Sequence, residues 1–144
     1  MVTVKRTIGA VMIRLLIVED QPSVRKAIRM RLAAESDLSV IGEAADGEAA
    51  LNLAISLCPD VILMDVEMPH MDGITTACAL HRIRPQAAVI MLSIHDDALT
   101  RARAKGAGAA AFVAKSMPPD TLLTTIRQVV QAGLGQGKGG YDTI

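Results

Sequence analysis

Acidic, hydroxyl and amine side chains stand at the ends of four apolar runs in this 144-residue chain. Glu19 and Asp20 follow the first of these runs, Asp65 ends the next, and Ser93 and Lys115 follow two later ones. Clustered carboxylates repel one another unless a cation offsets them, and a solvated set of oxygen ligands suits Mg²⁺. A hydroxyl and an amine opposite the metal would bind the remaining oxygens of a phosphoryl group. The set therefore predicts a phosphoryl site with Asp65 as the acceptor.

The apolar runs themselves predict the strands of one parallel sheet. Residues 61–64 are apolar throughout, which is typical of a strand buried on both faces, and Pro69 and Gly73 predict a sharp turn after Asp65. Ligands of open parallel sheets bind at the carboxyl edge of the strands, so we expect Asp65 to lie at the ligand-binding edge. Further strands are predicted at 13–18, 38–44, 88–92 and 111–113.

Amphipathic segments between the strands predict five helices. We expect them over 22–34, 47–57 and 73–83, from a cap at Asp96 and Asp97 to 106, and from 118 to about 133. The first helix is expected to turn Val24, Ala27, Ile28 and Leu32 inward and a strongly basic face outward. Strands that alternate with helices are typical of βαβ units, so the pattern predicts an α/β fold of five βα repeats.

Composition limits the classes of function. Fifteen basic residues balance fifteen acidic ones, and one Phe, one Tyr and no Trp leave no stacking surface for single-stranded nucleic acid. No apolar run approaches the roughly 20 residues of a membrane span, and no stretch is typical of a cleavable signal. We therefore expect a cytoplasmic protein with no membrane partner. Cys58 and Cys78 are predicted to be small core residues rather than metal ligands.

These motifs, in this order, make the chain resemble the receiver domain of a two-component response regulator. The resemblance rests on Glu19-Asp20, on Asp65 with Met68-Pro69 and Gly73, on Ser93, and on Phe112 with Lys115. It covers residues 12–133. The segments 93–97, 106–108 and 115–118 resemble receivers of the LuxR-type, nitrate-response and nodulation-regulator class. The implied fold is a flavodoxin-like (βα)5 three-layer sandwich with a central five-stranded parallel sheet. We expect 1–11 to be a poorly ordered extension and 134–144 a Gly-rich flexible tail.

The resemblance also implies a mechanism. Asp65 would take a phosphoryl group from a kinase histidine, while Mg²⁺, with Mn²⁺ as a substitute, would be held by Glu19, Asp20, Asp65 and the backbone carbonyl of Glu67. Lys115 would neutralise one phosphoryl oxygen and Ser93 would donate to another. Phe112 would then rotate from an outward to an inward position. Glu67 and His95 occupy the variable positions beside the phosphoryl group, where we expect them to tune its lifetime.

The implied partners follow from that mechanism. A sensor histidine kinase or a phosphotransfer protein would dock near the first helix, and an output partner, or a second copy in an activated homodimer, would meet the face built by the fourth helix, fifth strand and fifth helix. DNA would be reached only through an output domain that this chain does not contain. The chain would not itself be an enzyme, although it would promote its own phosphorylation and dephosphorylation.

Two other readings share parts of the pattern. A haloacid-dehalogenase-type phosphatase would need Asp where Glu67 stands, and a flavodoxin would need a phosphate-cradling loop and ring-flanking aromatics that the sequence does not show. A pseudo-receiver that acts as an interaction module without phosphorylation is the remaining alternative. It normally goes with a damaged pocket, whereas here every pocket residue is present.

Overall fold

The computed structural model of the chain describes residues 12–68 and 72–136, over which strands and helices alternate. The strands are β1 (Ile13–Val18), β2 (Leu38–Ala44), β3 (Val61–Asp65), β4 (Ala88–Ser93) and β5 (Ala111–Ala114). The helices are α1 (Pro22–Ala33), α2 (Gly47–Leu57), α3 (Gly73–Ile83), α4 (Ala98–Gly106) and α5 (Pro119–Gln136). The strands form one parallel sheet in the order β2-β1-β3-β4-β5, so the chain reverses direction across the sheet between β2 and β3.

Two apolar cores lie on opposite faces of this sheet. Because successive strand residues point to opposite faces, Leu16 and Ile62 enter one core while Leu15 and Leu63 enter the other. The first core is closed by residues of α2, α3 and α4, and the second by residues of α1 and α5. The sheet with its two helix layers confirms the predicted flavodoxin-like three-layer sandwich.

The turn between β3 and α3 is held very close to the end of the sheet. A Cβ atom added to Gly73 would lie 2.5 Å from the backbone oxygen of Asp65 and 2.8 Å from the Cα of Val66. Only a residue without a side chain allows this approach. Asp72 caps α3 by accepting a hydrogen bond from the Ile74 N–H, at 3.1 Å. The helix start is thereby fixed against the strand that carries Asp65.

Two arginines from other elements bind the carboxyl end of α2, at the end of the sheet opposite to Asp65. The guanidinium of Arg14, on β1, donates to the carbonyls of Leu57 and Cys58, each at 2.7 Å. The guanidinium of Arg84, just after α3, donates to the carbonyls of Ala54 and Ile55 at 3.2 and 2.9 Å. Both charges therefore satisfy terminal carbonyls at the negative pole of α2.

Several predictions about the helices need correction. The fifth helix was expected to end near Gly133 but runs to Gln136, because a glycine tolerates helical backbone and none of the described residues here adopts positive φ. Cys58 and Cys78 are exposed rather than buried, because alanines and leucines fill the inner faces of α2 and α3. Ala27 is also exposed, since α1 buries a narrower stripe centred on Leu32.

Some predicted features lie outside the described residues. These are the extension at 1–11, the last eight residues of the predicted tail, and Pro69 and His70 in the turn after β3. Within the part that is described, no helix combines the length and the apolar character needed to cross a membrane.

Candidate functional site

Three carboxylates meet at the carboxyl edge of the two central strands. Glu19 and Asp20 directly follow β1, and Asp65 is the last residue of β3. One ligand oxygen of each lies within 4.8 Å of the others. Glu19 is 2% exposed and Asp65 is 3% exposed, whereas Asp20 is only half-buried. Oxygen-only clusters that remain open to water on one side fit Mg²⁺, which retains several of its waters, so this group is able to hold such an ion.

The carboxylates are oriented by hydrogen bonds from the backbone that follows them. The Gln21 N–H donates to Glu19 Oε2 at 3.2 Å, and the Glu67 N–H donates to Asp65 Oδ1 at 3.1 Å. Arg25 of α1 donates from Nη1 to the Glu19 carbonyl at 2.6 Å, and its Nε contacts Glu43 Oε1 at 3.2 Å. The basic face of α1 is therefore partly engaged in fixing the β1–α1 connection.

Lys115 brings the cation of the site. Its Nζ lies 3.1 Å from Asp65 Oδ1 and 3.4 Å from Glu19 Oε1, and its backbone N–H donates to the Ser93 carbonyl at 2.7 Å. Burial favours the neutral amine, but the carboxylates of Asp65 and Glu19 outweigh it and raise the pKa of Lys115. Lys115 is therefore charged where it touches the predicted acceptor.

The carboxyl of Asp65, the predicted acceptor, is hard to ionise without a bound metal. Burial is the main cause, Lys115 opposes it and Glu19 adds to it, and together they raise the pKa of Asp65 to about 6. The charge of Lys115 compensates only part of the charge of this buried acidic cluster, and a divalent cation would supply more.

The hydroxyl of Ser93 contacts the carboxylate of Glu67. This hydroxyl is completely buried and donates to Glu67 Oε2 at 2.5 Å. The Ile94 N–H points to Glu67 Oε1 at 3.4 Å, and the His95 N–H donates to Ser93 Oγ at 2.9 Å. The His95 side chain is exposed. The contact between Glu67 and Ser93 was not predicted, because it joins the loop after β3 to the end of β4 through side-chain orientation alone.

The predicted switch residue is already inward. Phe112, on β5, is 9% exposed and packs in the first core. The guanidinium of Arg101, on α4, lies over its ring at 4.7 Å from the centroid and also pairs with Asp96 at 2.6 Å. This cation–π contact was missed, because an arginine on a basic helix gives no sequence signal that it covers an aromatic ring.

The predicted site residues thus fall into two groups. Glu19, Asp20, Asp65 and Lys115 form one continuous charged cluster. Ser93 and the side chain of Glu67 form a second, joined to the first through the backbone between Asp65 and Glu67. Phe112 is separated from the strand of Asp65 by β4 and lies on the edge strand β5, with Lys115 just beyond the end of that strand.

A single parallel sheet between two helix layers, with clustered acids and a lysine at its carboxyl edge, defines the class of CheY-like α/β receivers. The chain belongs to the response regulator receiver domain family, whose sequence model matches residues 15–127. It is therefore a receiver of the kind found in two-component response regulators, as the sequence predicted.

Three similar proteins show how this unit is used elsewhere. The chain is 34% identical to the transcriptional regulatory protein DegU of Brevibacillus brevis, over 84% of this chain and 51% of DegU. It is 40% identical to a protein-glutamate methylesterase/protein-glutamine glutaminase of Moorella thermoacetica, over 83% of this chain and 28% of that protein. The solved signal receiver domain of the putative response regulator NarL from Mycobacterium tuberculosis has a TM-score of 0.79 and 30% identity, with 84% of this chain and 98% of that one covered.

The curated relatives are longer than this chain. The chain spans about half the length of DegU and less of the methylesterase. One of the two is a transcriptional regulator by name and the other an enzyme. What they share with this chain is the receiver, so the comparison identifies the input unit and leaves the output open.

Proposed function

We propose that Asp65 is the phosphoacceptor of this receiver and takes its phosphoryl group from a histidine of a sensor kinase or a phosphotransfer protein. The observation that carries the proposal is the contact of Lys115 Nζ with Asp65 Oδ1 at 3.1 Å, inside a buried acidic cluster. This arrangement supplies a nucleophile, a cation and a set of metal-binding oxygens at one edge of the sheet.

The proposed transfer forms a bond between an Asp65 carboxylate oxygen and phosphorus while the bond from phosphorus to the donor nitrogen breaks. The electron pair of that bond stays on the histidine nitrogen, which takes up a proton. Lys115 neutralises a phosphoryl oxygen from its place between Asp65 and Glu19. Mg²⁺, or Mn²⁺ in its place, would be held by Glu19, Asp20, Asp65 and the backbone carbonyl of Glu67 and would offset the charge of the transferred group.

The output of this site is proposed to pass through α4, β5 and α5. Ser93 ends β4 and is paired with Ala114 of β5, and Arg101 of α4 lies over the ring of Phe112 on the same strand, so β5 connects the site with this surface. We propose that the surface binds an output partner or a second copy of the chain. Similarity to DegU favours transcription as the output, with DNA bound by a separate domain. The chain is then a cytoplasmic signalling receiver and not itself an enzyme. No observation favours the pseudo-receiver alternative.

Intact-mass measurement after incubation with acetyl phosphate and Mg²⁺ tests the proposal. We expect one phosphoryl adduct on the wild-type chain, none on Asp65→Asn, and none when the metal is removed with EDTA. Glu48→Gln, which removes an exposed carboxylate from the first turn of α2, is the charge-matched control and should be phosphorylated normally. A folded wild type that gains no adduct, even with a phosphohistidine donor, would refute the proposal.

A further inference from the structure

We infer that in the resting protein the carboxylate of Glu67 occupies the anion site that the phosphoryl group on Asp65 later takes, so that phosphorylation must displace Glu67 from Ser93. The inference rests on the proposed function of Asp65. It concerns the regulation of the same site, because it makes Glu67 an internal competitor of the phosphoryl group.

The hydroxyl of Ser93 is the reason for the competition. Ser93 is completely buried, and its Oγ donates to Glu67 Oε2 at 2.5 Å, the separation of a charge-assisted O–H···O⁻ bond. A hydroxyl has one hydrogen to donate. One of its two acceptor lone pairs takes the His95 N–H at 2.9 Å. Ser93 is therefore unable to donate to a phosphoryl oxygen until Glu67 releases it.

The groups around Ser93 receive one anion, the Glu67 carboxylate, which the phosphoryl group would replace. The Ile94 N–H points to Glu67 Oε1 at 3.4 Å, so the carboxylate is received by a backbone donor as well as by the hydroxyl. The amine of Lys115 contacts the carboxylates of Asp65 and Glu19. A phosphoryl group on Asp65 would bring a second anion close to Glu67 in a poorly solvated place, where like charges repel strongly.

A neighbouring cavity has room for the displaced side chain of Glu67. This cavity of about 260 Å³ opens beside the pocket and is lined by Glu67 itself together with residues of α3, α4 and the loop after β4. Its lining includes Arg103, Thr100 and His95. Arg103 is more than half exposed and lies 3.8 Å from Asp72, so its guanidinium is not held in a tight ion pair there. A carboxylate leaving Ser93 therefore enters a space whose wall carries the Arg103 guanidinium as well as the carboxylate of Asp72.

Titration with beryllofluoride and Mg²⁺ tests the competition, because beryllofluoride mimics the phosphoryl group on an aspartate. The affinity for beryllofluoride, measured by calorimetry, should rise roughly tenfold in Glu67→Ala. This factor corresponds to one charge-assisted hydrogen bond, which in the wild type must be broken before Ser93 can donate to beryllofluoride. Glu67→Gln should show a smaller rise, and Glu48→Gln none. An affinity in Glu67→Ala that equals or falls below that of the wild type would overturn the inference.

The same substitution in a Ser93→Ala protein distinguishes competition for the Ser93 hydroxyl from simple charge repulsion. In Ser93→Ala, replacing Glu67 by Ala should no longer change the affinity by the same factor, because there is no hydrogen for which to compete. If Glu67→Ala still raised the beryllofluoride affinity tenfold in the Ser93→Ala protein, charge repulsion alone would explain the effect. That result would contradict the proposed exchange of hydrogen-bond acceptors at Ser93. Circular dichroism establishes that each variant is folded.

One measurement needs no phosphoryl group and so is independent of the proposed function. In the ligand-free protein, Glu67→Ala should speed the hydrogen exchange of the Ile94 and His95 amides, because the loop after β4 loses its anchor. Unchanged exchange would overturn the inference. The two proposals can also fail separately. If these amides exchange faster in Glu67→Ala but the wild-type chain accepts no phosphoryl group, the Glu67–Ser93 contact is supported and only the role of Asp65 is rejected.

Discussion

At the scale of single residues, the burial of Asp65 ties the function of the site to the stability of the protein. Burial, opposed by Lys115 and assisted by Glu19, raises the pKa of this carboxyl from 3.8 to about 6. The folded protein therefore binds the Asp65 proton more tightly than the unfolded chain does. The ionised group weakens the fold above pH 6, and this cost fades as the pH falls from 6 to 3.8.

Asp65→Asn should consequently stabilise the metal-free protein at pH 7.5. We expect its free energy of unfolding to rise by on the order of 1–3 kcal/mol, since each pKa unit is worth about 1.4 kcal/mol. The gain should shrink when urea denaturation is repeated near pH 5. A variant that is no more stable than the wild type at pH 7.5 would show that Lys115 compensates the buried charge in full.

The side chain of Glu67 is proposed to set the lifetime of the phosphoryl group. Glu67→Ala should change the rate of dephosphorylation at least severalfold, because this carboxylate is placed to bind water or repel the anion beside Asp65. Loss of the phosphoryl adduct with time, followed by intact mass, measures the rate. Glu48→Gln, which removes an exposed carboxylate of α2, is the matched control. Equal rates in the wild type and Glu67→Ala would remove Glu67 from the set of residues proposed to tune the lifetime.

The types of the site residues were predictable, but their pairing was not. Glu19, Asp65 and Lys115 stand at or just beyond the carboxyl ends of β1, β3 and β5 in one parallel sheet, so their placement at the same edge follows from the strand pattern. Ser93 ends β4 and Glu67 lies in the loop after β3, 26 residues away, and no local pattern decides which oxygen a rotatable hydroxyl selects. Burial of Phe112 under Arg101 likewise depends on how α4 packs.

At the scale of helices and strands, Gly73 determines how closely α3 approaches the end of β3. Gly73→Ala places a Cβ 2.5 Å from the Asp65 backbone oxygen, so the strand end or the helix must move. We expect a loss of roughly 1–3 kcal/mol in the free energy of unfolding, the usual cost of overpacking. Slower phosphorylation of Asp65 should accompany it.

Gly106→Ala is the control for this experiment. Gly106 also belongs to a helix, but a Cβ built there meets nothing within 4 Å. Its stability should equal that of the wild type or exceed it slightly, because alanine has the higher helix propensity. If both glycine variants lost the same stability, close packing at Gly73 would not be the cause.

The strands were predicted more accurately than the ends of the helices, and for a physical reason. A strand in the middle of a parallel sheet is buried on both faces, so its whole length is apolar, as in β3. A helix buries only one face against the core, so its apolar pattern is sparser than that of a buried strand. Its last turn often contains no residue that requires the helix to end there. The fifth helix therefore continues past Gly133, where a glycine signal had suggested an end.

At the scale of the whole molecule, metal binding should be visible as stability. A ligand that binds only the folded state raises the melting temperature as its concentration rises. We expect Mg²⁺ to do so for the wild type, because Glu19, Asp20 and Asp65 meet only when β1 and β3 pair. Asp20→Asn should blunt the dependence. Thermal melts across a Mg²⁺ titration, with Glu48→Gln as control, would count against the metal site if all variants responded alike.

The two helix layers are not equally free to respond to the site. Arg127 of α5 binds Glu35 and Asp37 at 2.8 Å each, and Arg31 of α1 binds Asp120 at 2.8 Å. These pairs join α1 and α5 on one face of the sheet. The short helix α4 lies on the other face, near the end of β4 where Ser93 stands. The three-layer arrangement thus favours α4 as the element that a change at Ser93 would move.

Phe112 is the sole phenylalanine of the chain. A protein grown with fluorinated phenylalanine would therefore give one fluorine resonance, and that signal would come from a ring buried beneath a guanidinium. No assignment experiment would be needed to follow this ring through metal binding, beryllofluoride addition and partner capture. The sparse aromatic content, which first served only to exclude functions, makes this receiver its own spectroscopic reporter.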